Sequence, residues 1–359
     1  MPAIIGHESA LETIRGTLSS GRIHHAWIIS GPVGIGKRTL ACEFARVLLD
    51  PQASSDDLGL GGTALMSSEG QLLDAGTHPD LYLIRKEDAE HSDSKTLNRR
   101  KQMNIPLDLL RERLLGGCTA DSTKKHESPA YHTSKLGQGK VFIIDEAELI
   151  DLYGQNALLK TLEEPPPKTW LFLITSRPER LLPTVRSRCE HLRLGPLSDE
   201  DMRQWLTDEL PDTPDVEWML QWAEGGPGMA VLADETSLLD CARDLEPILR
   251  DLDEGRWKTT FGGTVNDFIA GWADKVVKAN PRASKDLANK MGASLVLRML
   301  AKRVRTQLET VTPGDLETGR RLWDLANRVS EAEDNLQRGL NMKHAMESLG
   351  AGWSERCRA

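Results

Sequence analysis

The sequence predicts an α/β fold, a parallel sheet with a phosphate-binding loop, followed by a C-terminal region made of helices alone. Over residues 1–194 short apolar runs alternate with helical patterns, which is typical of a doubly wound parallel sheet. From about residue 196 only helical patterns follow. The chain has 359 residues, and at roughly 150 residues per domain this length predicts two or three domains.

Four apolar runs are predicted to form buried parallel strands. They are Trp27-Ile28-Ile29-Ser30, Leu81-Tyr82-Leu83-Ile84, Val141-Phe142-Ile143-Ile144-Asp145 and Trp170-Leu171-Phe172-Leu173-Ile174-Thr175. Each run is too short and too continuously apolar for a surface helix. Helices are predicted between the strands at 39–49, 107–115 and 155–164, the last of which ends before three prolines because proline removes a helical donor.

The C-terminal region is predicted to be helical from a start signal and from apolar periodicity. Ser198 followed by Asp201 resembles a capping box, so a helix is expected to begin there. Three later helices present apolar stripes, namely Val265, Phe268, Ile269, Trp272 and Val276; Leu287, Met291, Leu295 and Met299; and Leu322, Leu325, Ala326 and Val329.

Two polar stretches interrupt the α/β pattern, at 85–101 and 119–139. They contain few apolar residues and no periodicity, so both are predicted to be mobile surface insertions. The first closes on Arg99-Arg100-Lys101. A solvated loop is the favoured interpretation of this basic run, and contact with DNA or a partner is the alternative.

Charge and composition exclude several classes of protein. Lys plus Arg number 45 against 54 for Asp plus Glu, a net charge of -9, so any contact with DNA must be local or shared with more basic partner subunits. No apolar run reaches the roughly 18 residues of a membrane span, and the N-terminus lacks a secretory pattern, so we expect a cytoplasmic protein. The five cysteines form no C-x-x-C pair, which predicts reduced thiols and no metal site, zinc included.

A glycine-rich loop, Gly31-Pro32-Val33-Gly34-Ile35-Gly36-Lys37, directly follows the first predicted strand and directly precedes a helix. Glycines let successive backbone N–H groups turn toward one point, the helix presents its positive end there, and a lysine reaches the outer phosphates. We therefore assign ATP binding to Gly31, Gly34, Gly36 and Lys37.

One element of this motif is missing. The residue after the lysine normally supplies a hydroxyl that holds Mg²⁺, but it is Arg38 here, and the hydroxyl is displaced to Thr39. One residue along a helix is a rotation of about 100°, so Thr39 is expected to point away from such a metal. Arg38 and Thr39 are candidate nucleotide contacts. An arginine in place of the hydroxyl residue affects nucleotide hydrolysis more than nucleotide binding, so Mg²⁺ is expected only where nucleotide is bound.

Polar residues follow the next two predicted strands. Asp145 is expected to orient Mg²⁺ and its waters, and Glu146 to polarise the attacking water as general base. Thr175 lies at the end of the following strand, where a small polar side chain reaches the γ-phosphate or the water. Four arginines occur between Arg177 and Arg188, and taken alone this run is typical of a solvated basic helix.

Ser187-Arg188-Cys189 matches the Ser-Arg-Cys signature of the clamp-loader AAA+ family. The resemblance runs in order, over about 190 residues, through Gly6-His7, Arg22-Ile23-His24-His25-Ala26, the glycine-rich loop, Ala75-Gly76-Thr77-His78-Pro79-Asp80, the Asp-Glu strand, the segment 156–166 and Pro178-Glu179-Arg180-Leu181-Leu182. Within the family, the segment 75–80 is most similar to the delta prime type of subunit of bacterial DNA polymerase III.

The resemblance implies an AAA+ nucleotide-binding core at 1–194, a small helical lid at 195–240 and a helical collar for oligomerisation at 241–359. It also implies partners: gamma/tau and delta subunits in a hetero-pentameric ring that opens the sliding clamp and loads it on primed DNA. In this family the arginine of the Ser-Arg-Cys motif projects into the ATP site of the neighbouring subunit. Arg188 is thereby implied to be an arginine finger in trans, since a guanidinium neutralises charge on the transferred phosphoryl group.

Departures from the family pattern favour a subunit that does not turn over ATP. Besides Arg38, Gly228 stands where ATP-hydrolysing relatives have an arginine that senses the γ-phosphate, and residues 50–74 lack the four cysteines of the family's zinc module. We therefore expect a delta prime-like subunit that donates Arg188, with an idle Glu146 and no zinc. The alternatives are an ATP-hydrolysing gamma/tau-type subunit and a stand-alone AAA+ motor, which would form a homohexamer.

Overall fold

The computed structural model describes residues 3–60, 67–94, 97–98, 104–120, 125–279, 284–312, 314–337 and 341–358. These residues divide into two compact units. The first unit consists of Met1–Pro211 with Ala223–Met229, and the second of Asp212–Trp222 with Ala230–Ala359. The finer division into 1–194, 195–240 and 241–359 stays a prediction.

A parallel five-stranded sheet forms the centre of the first unit. Its strands are β1 (Ala26–Ser30), β2 (Leu81–Ile84), β5 (Lys140–Ile144), β6 (Thr169–Thr175) and β7 (Glu190–Arg193), in the spatial order β2-β5-β6-β1-β7. Two further short strands, β3 (Gly117–Cys118) and β4 (Lys125–His126), pair antiparallel with each other. The α/β class and the four predicted strands are confirmed. Sequence analysis missed β7, because only Leu192 of its four residues is buried.

Helices alternate with these strands along the chain. They are α1 (Glu8–Ser19), α2 (Lys37–Leu49), α3 (Ser68–Asp74), α4 (Leu107–Leu110, continued by a π-helical turn over Arg111–Leu115), α5 (Leu152–Glu163), α6 (Pro183–Arg186) and α7 (Asp199–Glu209). The capping signal at the start of α7 is confirmed, since the backbone N–H of Asp201 donates to the hydroxyl of Ser198 at 3.1 Å.

Apolar side chains fill both faces of the sheet. Along β1, Trp27 and Ile29 pack into one buried cluster with Phe44 of α2, whereas Ile28 packs into a second cluster with Leu158 of α5. Successive side chains of a strand point to opposite faces. A strand covered on both faces is therefore apolar at every position, which is why the runs at β1, β5 and β6 stood out in the sequence.

The polar stretch at 119–139 is anchored over its second half, contrary to the expectation of a mobile insertion. The buried carboxylate of Asp80 accepts the backbone N–H groups of Lys135 and Leu136, each at 2.8 Å. The buried ammonium of Lys140 donates to the carbonyls of Pro129 and Ala130, at 3.1 and 2.5 Å. Two buried polar groups, one just before β2 and one at the start of β5, thus hold a segment that has little apolar surface of its own. The basic run Arg99-Arg100-Lys101 lies outside the described residues.

The second unit is all-helical, as predicted. The C-terminal helices of the chain are α8 (Val216–Ala223), α9 (Pro227–Glu235), α10 (Leu238–Asp253), α11 (Thr260–Ala279), α12 (Lys285–Thr310), α13 (Leu316–Gln337) and α14 (Met342–Arg358). The stripe at Leu322, Leu325 and Val329 is buried. The prediction of an apolar stripe on α12 is only half correct: Leu295 and Met299 are buried, but Leu287 and Met291 are 48% and 46% exposed.

An ionic cluster joins three helices of this unit. Arg303 on α12 pairs with Glu246 and Asp253 of α10, at 2.5 and 2.9 Å, and the indole N–H of Trp353 on α14 donates to Asp253 at 2.9 Å. Among the described helices, none is long and apolar enough to cross a membrane.

Candidate phosphate-binding site and the Ser-Arg-Cys turn

The glycine-rich loop runs from the end of β1 to the start of α2, where the sequence predicted it. Gly34 and Gly36 have φ values of +81° and +92°, in the left-handed region that favours glycine. A Cβ on Gly31 would lie 2.4 Å from the carbonyl oxygen of Leu194. Backbone conformation and close approach therefore both require glycine in this loop.

Lys37, the first residue of α2, is 9% exposed and turns back onto the loop. Its ammonium donates to the carbonyl oxygens of Gly31 at 2.8 Å and Pro32 at 2.5 Å. Burial lowers the pKa of Lys37, and the carboxylates of Glu148 and Asp145 oppose that shift. The ammonium thus lies on the loop that is expected to hold the phosphates.

Arg38 points toward the carboxylate that was expected to orient Mg²⁺. One guanidinium nitrogen, Nη1, lies 3.7 Å from Oδ2 of Asp145, with the two side chains 57% and 21% exposed. Thr39 lines a cavity of about 70 Å³ together with His7, Leu197 and Trp205. A group of three or more His, Cys, Asp or Glu side chains that could hold a metal ion is absent from the part of the chain that the structure describes.

The other two carboxylates near this edge of the sheet are also engaged. Glu146 lies in a left-handed conformation and pairs with the ammonium of Lys86 at 2.6 Å. Glu148 accepts the backbone N–H and the hydroxyl of Ser176, at 3.1 and 2.6 Å. Burial alone would raise the pKa of Glu148, but hydrogen bonds from Ser176 and Thr175 lower it below its ordinary value.

Thr175 is buried at the end of β6, and its hydroxyl accepts the backbone N–H of Arg177 at 3.0 Å. The structure thus places Arg38 beside Asp145, and Asp145 lies near enough to Lys37 to affect its pKa. Sequence reasoning missed Lys86 and Glu148. A signal was present for Lys86, because it follows the β2 run, and parallel neighbouring strands end at the same edge of a sheet.

The segment at Gly228 lies directly on the glycine-rich loop. The backbone N–H of Gly228 donates to the carbonyl oxygen of Gly34 at 2.7 Å. A Cβ on Gly228 would lie 3.0 Å from the Cα of Gly34. A side chain on residue 228 would therefore crowd the backbone of the glycine-rich loop in this structure.

The Ser-Arg-Cys turn follows α6 and is at the surface. The Arg188 side chain is 35% exposed, and its guanidinium pairs with Glu163 at 2.7 Å and donates to the carbonyl of Thr184 at 2.9 Å. Cys189 packs against the apolar cluster, and burial raises the pKa of its thiol to about 12. Cys189 is therefore a packing residue, while the guanidinium beside it is held in one orientation at the surface.

Comparisons of the sequence with known proteins show which family the chain resembles. The family model described as DNA polymerase III, delta subunit, matches residues 6–198. The chain is 33% identical to the DNA polymerase III subunit delta' of Escherichia coli over 222 residues, which cover 61% of this chain and 57% of that protein. It is 35% identical to the subunit delta' of Pseudomonas aeruginosa over 205 residues, 56% of this chain and 53% of that protein.

A gamma subunit is also similar to this chain. The DNA polymerase III subunit gamma of Buchnera aphidicola is 30% identical over 203 residues, 56% of this chain and 47% of that protein. The chain thus spans about half the length of the curated relatives it matches. Since the family model covers more than half of its residues, the chain belongs to the DNA polymerase III delta subunit family.

Proposed function

We propose that this chain acts as the delta prime-type subunit of a DNA polymerase III clamp loader. In that role it joins gamma/tau and delta subunits in a hetero-pentamer and donates Arg188 to the ATP site of a neighbouring subunit while the ring loads the sliding clamp on primed DNA. The family match and the two delta' relatives support the subunit type.

The finger role depends on one observation, the placement of the Arg188 guanidinium at the surface. A guanidinium acts in trans only if it stays at the surface and keeps its orientation. Arg188 meets both conditions, since it is partly exposed and is held by Glu163 and the carbonyl of Thr184. The Glu163 carboxylate also neutralises it in the isolated chain, so a neighbouring phosphate must compete with that carboxylate for the guanidinium.

The chain's own loop is proposed to bind ATP without turning it over. Lys37 and the glycines keep the phosphate cradle. The proposed general base, Glu146, is idle because it pairs with Lys86, and Gly228 supplies no γ-phosphate sensor. Steady-state hydrolysis by the isolated chain is the direct measurement, and turnover at the rate of a motor subunit would instead favour the gamma/tau-type alternative. Cellular location in the cytoplasm is part of the same proposal.

The test of the finger role is Arg188→Ala in the reconstituted assembly with clamp and primed DNA. We expect hydrolysis at the neighbouring site to fall by about 10³-fold or more, because that site loses its transition-state cation, and the DNA-stimulated ATPase rate of the ring to lose that site's share. Arg188→Lys should also lose activity, because an ammonium lacks the planar fork of donors.

The matched control is Arg180→Ala, an exposed arginine of the same basic segment, which should leave the rate unchanged. Both variants should assemble normally, as measured by co-purification with the other subunits. An unchanged ATPase rate in an assembled Arg188→Ala ring would refute the finger role.

A further inference from the structure

The three carboxylates at the carboxyl end of β5 each have a partner supplied by this chain. Asp145 faces Arg38, Glu146 faces Lys86, and Glu148 is held by Ser176. A site built for a divalent cation leaves carboxylate oxygens free to ligate it or its waters. Here two of the three carboxylates already face a side-chain cation.

Each oxygen of the Asp145 carboxylate has a neighbour supplied by this chain. Oδ2 faces the guanidinium of Arg38 at 3.7 Å, and Oδ1 accepts the backbone N–H of Glu146 at 3.1 Å. Mg²⁺ requires oxygen ligands in octahedral geometry. A guanidinium carries donors only and stays charged at any ordinary pH, so Arg38 repels the metal and gives it no ligand.

Arg38 is also placed to contact an anion. It is the second residue of the 13-residue helix α2, whose first backbone N–H groups point toward the glycine-rich loop. Its side chain is 57% exposed, which leaves donors on the guanidinium open while Nη1 faces Asp145. The planar fork of an arginine matches the geometry of both carboxylate and phosphate oxygens.

We propose that Arg38 replaces Mg²⁺ as the cation between Asp145 and a bound nucleotide, so that this chain's loop holds nucleoside triphosphate without a divalent metal. The inference rests on the proposed ATP binding and adds which cation that binding uses. Arg38 bridges the phosphates to Asp145 as a fixed monovalent cation, and the affinity for ATP is independent of Mg²⁺.

The test is calorimetric titration of the full chain with ATP, in 5 mM MgCl₂ and again in EDTA. The wild type is expected to give dissociation constants within about twofold of each other in the two buffers. Arg38→Thr removes the cation and restores a hydroxyl next to Lys37. This variant should bind ATP at least about tenfold more tightly with Mg²⁺ than with EDTA.

Two further variants test whether the independence from Mg²⁺ depends on the positive charge at residue 38. Arg38→Lys keeps a positive charge and should stay independent of Mg²⁺. Arg243→Thr removes an exposed helical arginine in the second unit and should behave as wild type. Since Arg38 is an exposed partner in a surface pair, Arg38→Thr should keep the wild-type melting temperature to within about 2 °C.

Tighter binding of ATP by the wild type with Mg²⁺ than with EDTA overturns the inference. Failure of the wild type to bind ATP in either buffer refutes the nucleotide-binding part of the proposed function. The inference fails in that case too, whereas binding by the wild type that depends on Mg²⁺ overturns the inference alone and leaves the nucleotide-binding part of the proposed function standing.

Discussion

Two histidines in the motif segments have packing roles. The imidazole of His25 makes a 2.9 Å hydrogen bond with the carbonyl oxygen of Leu162, and His78 is 4% exposed and accepts the backbone N–H of Asp80 at 3.2 Å. Nε2 of His78 is buried without a hydrogen-bond partner. Burial lowers the pKa of both imidazoles below the ordinary value of 6.5, because it disfavours the charged form.

The stability of the first unit should therefore decrease as the pH falls from 7.5 to 5.5. Below pH 6.5 the unfolded chain takes up protons that the folded chain does not, and this difference lowers the free energy of unfolding. Each histidine contributes at most about 1.4 kcal/mol per pH unit. Urea unfolding of the wild type at both pH values is the measurement.

His78→Gln should reduce this pH dependence, because one of the two groups no longer titrates. His344→Gln, whose wild-type side chain is 81% exposed, should leave the dependence as it is. Equal slopes for the wild type and His78→Gln would contradict the assignment.

At the scale of the element, the start of α9 is defined by its contact with the glycine-rich loop. Gly228 and Gly34 meet backbone to backbone, with a hydrogen bond of 2.7 Å between them. A Cβ on Gly34 would in turn lie 2.9 Å from the backbone nitrogen of Met229. A side chain on either glycine would therefore meet the backbone of the other element, and substituting either residue requires that backbone to move.

Gly228→Ala should destabilise the first unit by about 1–3 kcal/mol, because the new Cβ meets rigid backbone. Gly271→Ala in α11 is the matched control, since nothing lies within 4 Å of its Cβ. That change should stabilise the second unit by up to about 1 kcal/mol, as alanine favours a helix interior over glycine. The free energy of unfolding of each variant is the measurement, and the same sign for both would contradict the close contact at Gly228.

At the scale of the whole molecule, the net charge of -9 limits what the isolated chain can bind. The second unit adds a cavity of about 430 Å³ whose charged lining is mainly acidic, with Asp240, Asp244 and Asp267 against Lys275. Phosphate backbones are attracted by clustered Lys and Arg and repelled by such acidic surfaces. Contact with primed DNA in the proposed assembly must therefore be made jointly with other subunits.

The isolated chain should bind primed DNA more weakly than about 10⁻⁵ M at 150 mM salt, within the range of non-specific binding. Fluorescence anisotropy with a labelled primer-template is the measurement, repeated at 50 mM salt to show the electrostatic part. A submicromolar dissociation constant at the higher salt would contradict this prediction and would indicate a local basic site.

Local signals in the sequence determined the α/β class, four of the five strands of the sheet, the glycine-rich loop and the helical second unit. They were readable because a strand covered on both faces is apolar at every position, and because a tight loop at a helix start requires glycine. Only the tertiary structure decided that Arg38 faces Asp145, that Lys86 faces Glu146 and that Asp80 holds residues 135–136. The structure also showed that Glu190–Arg193 form β7 and that Leu287 and Met291 of α12 are exposed. The three contacts join residues far apart in the chain, and the order of strands in the sheet brings those partners together. The exposure of a helix position depends on which neighbours cover the helix, and only the packing of the helices decides that.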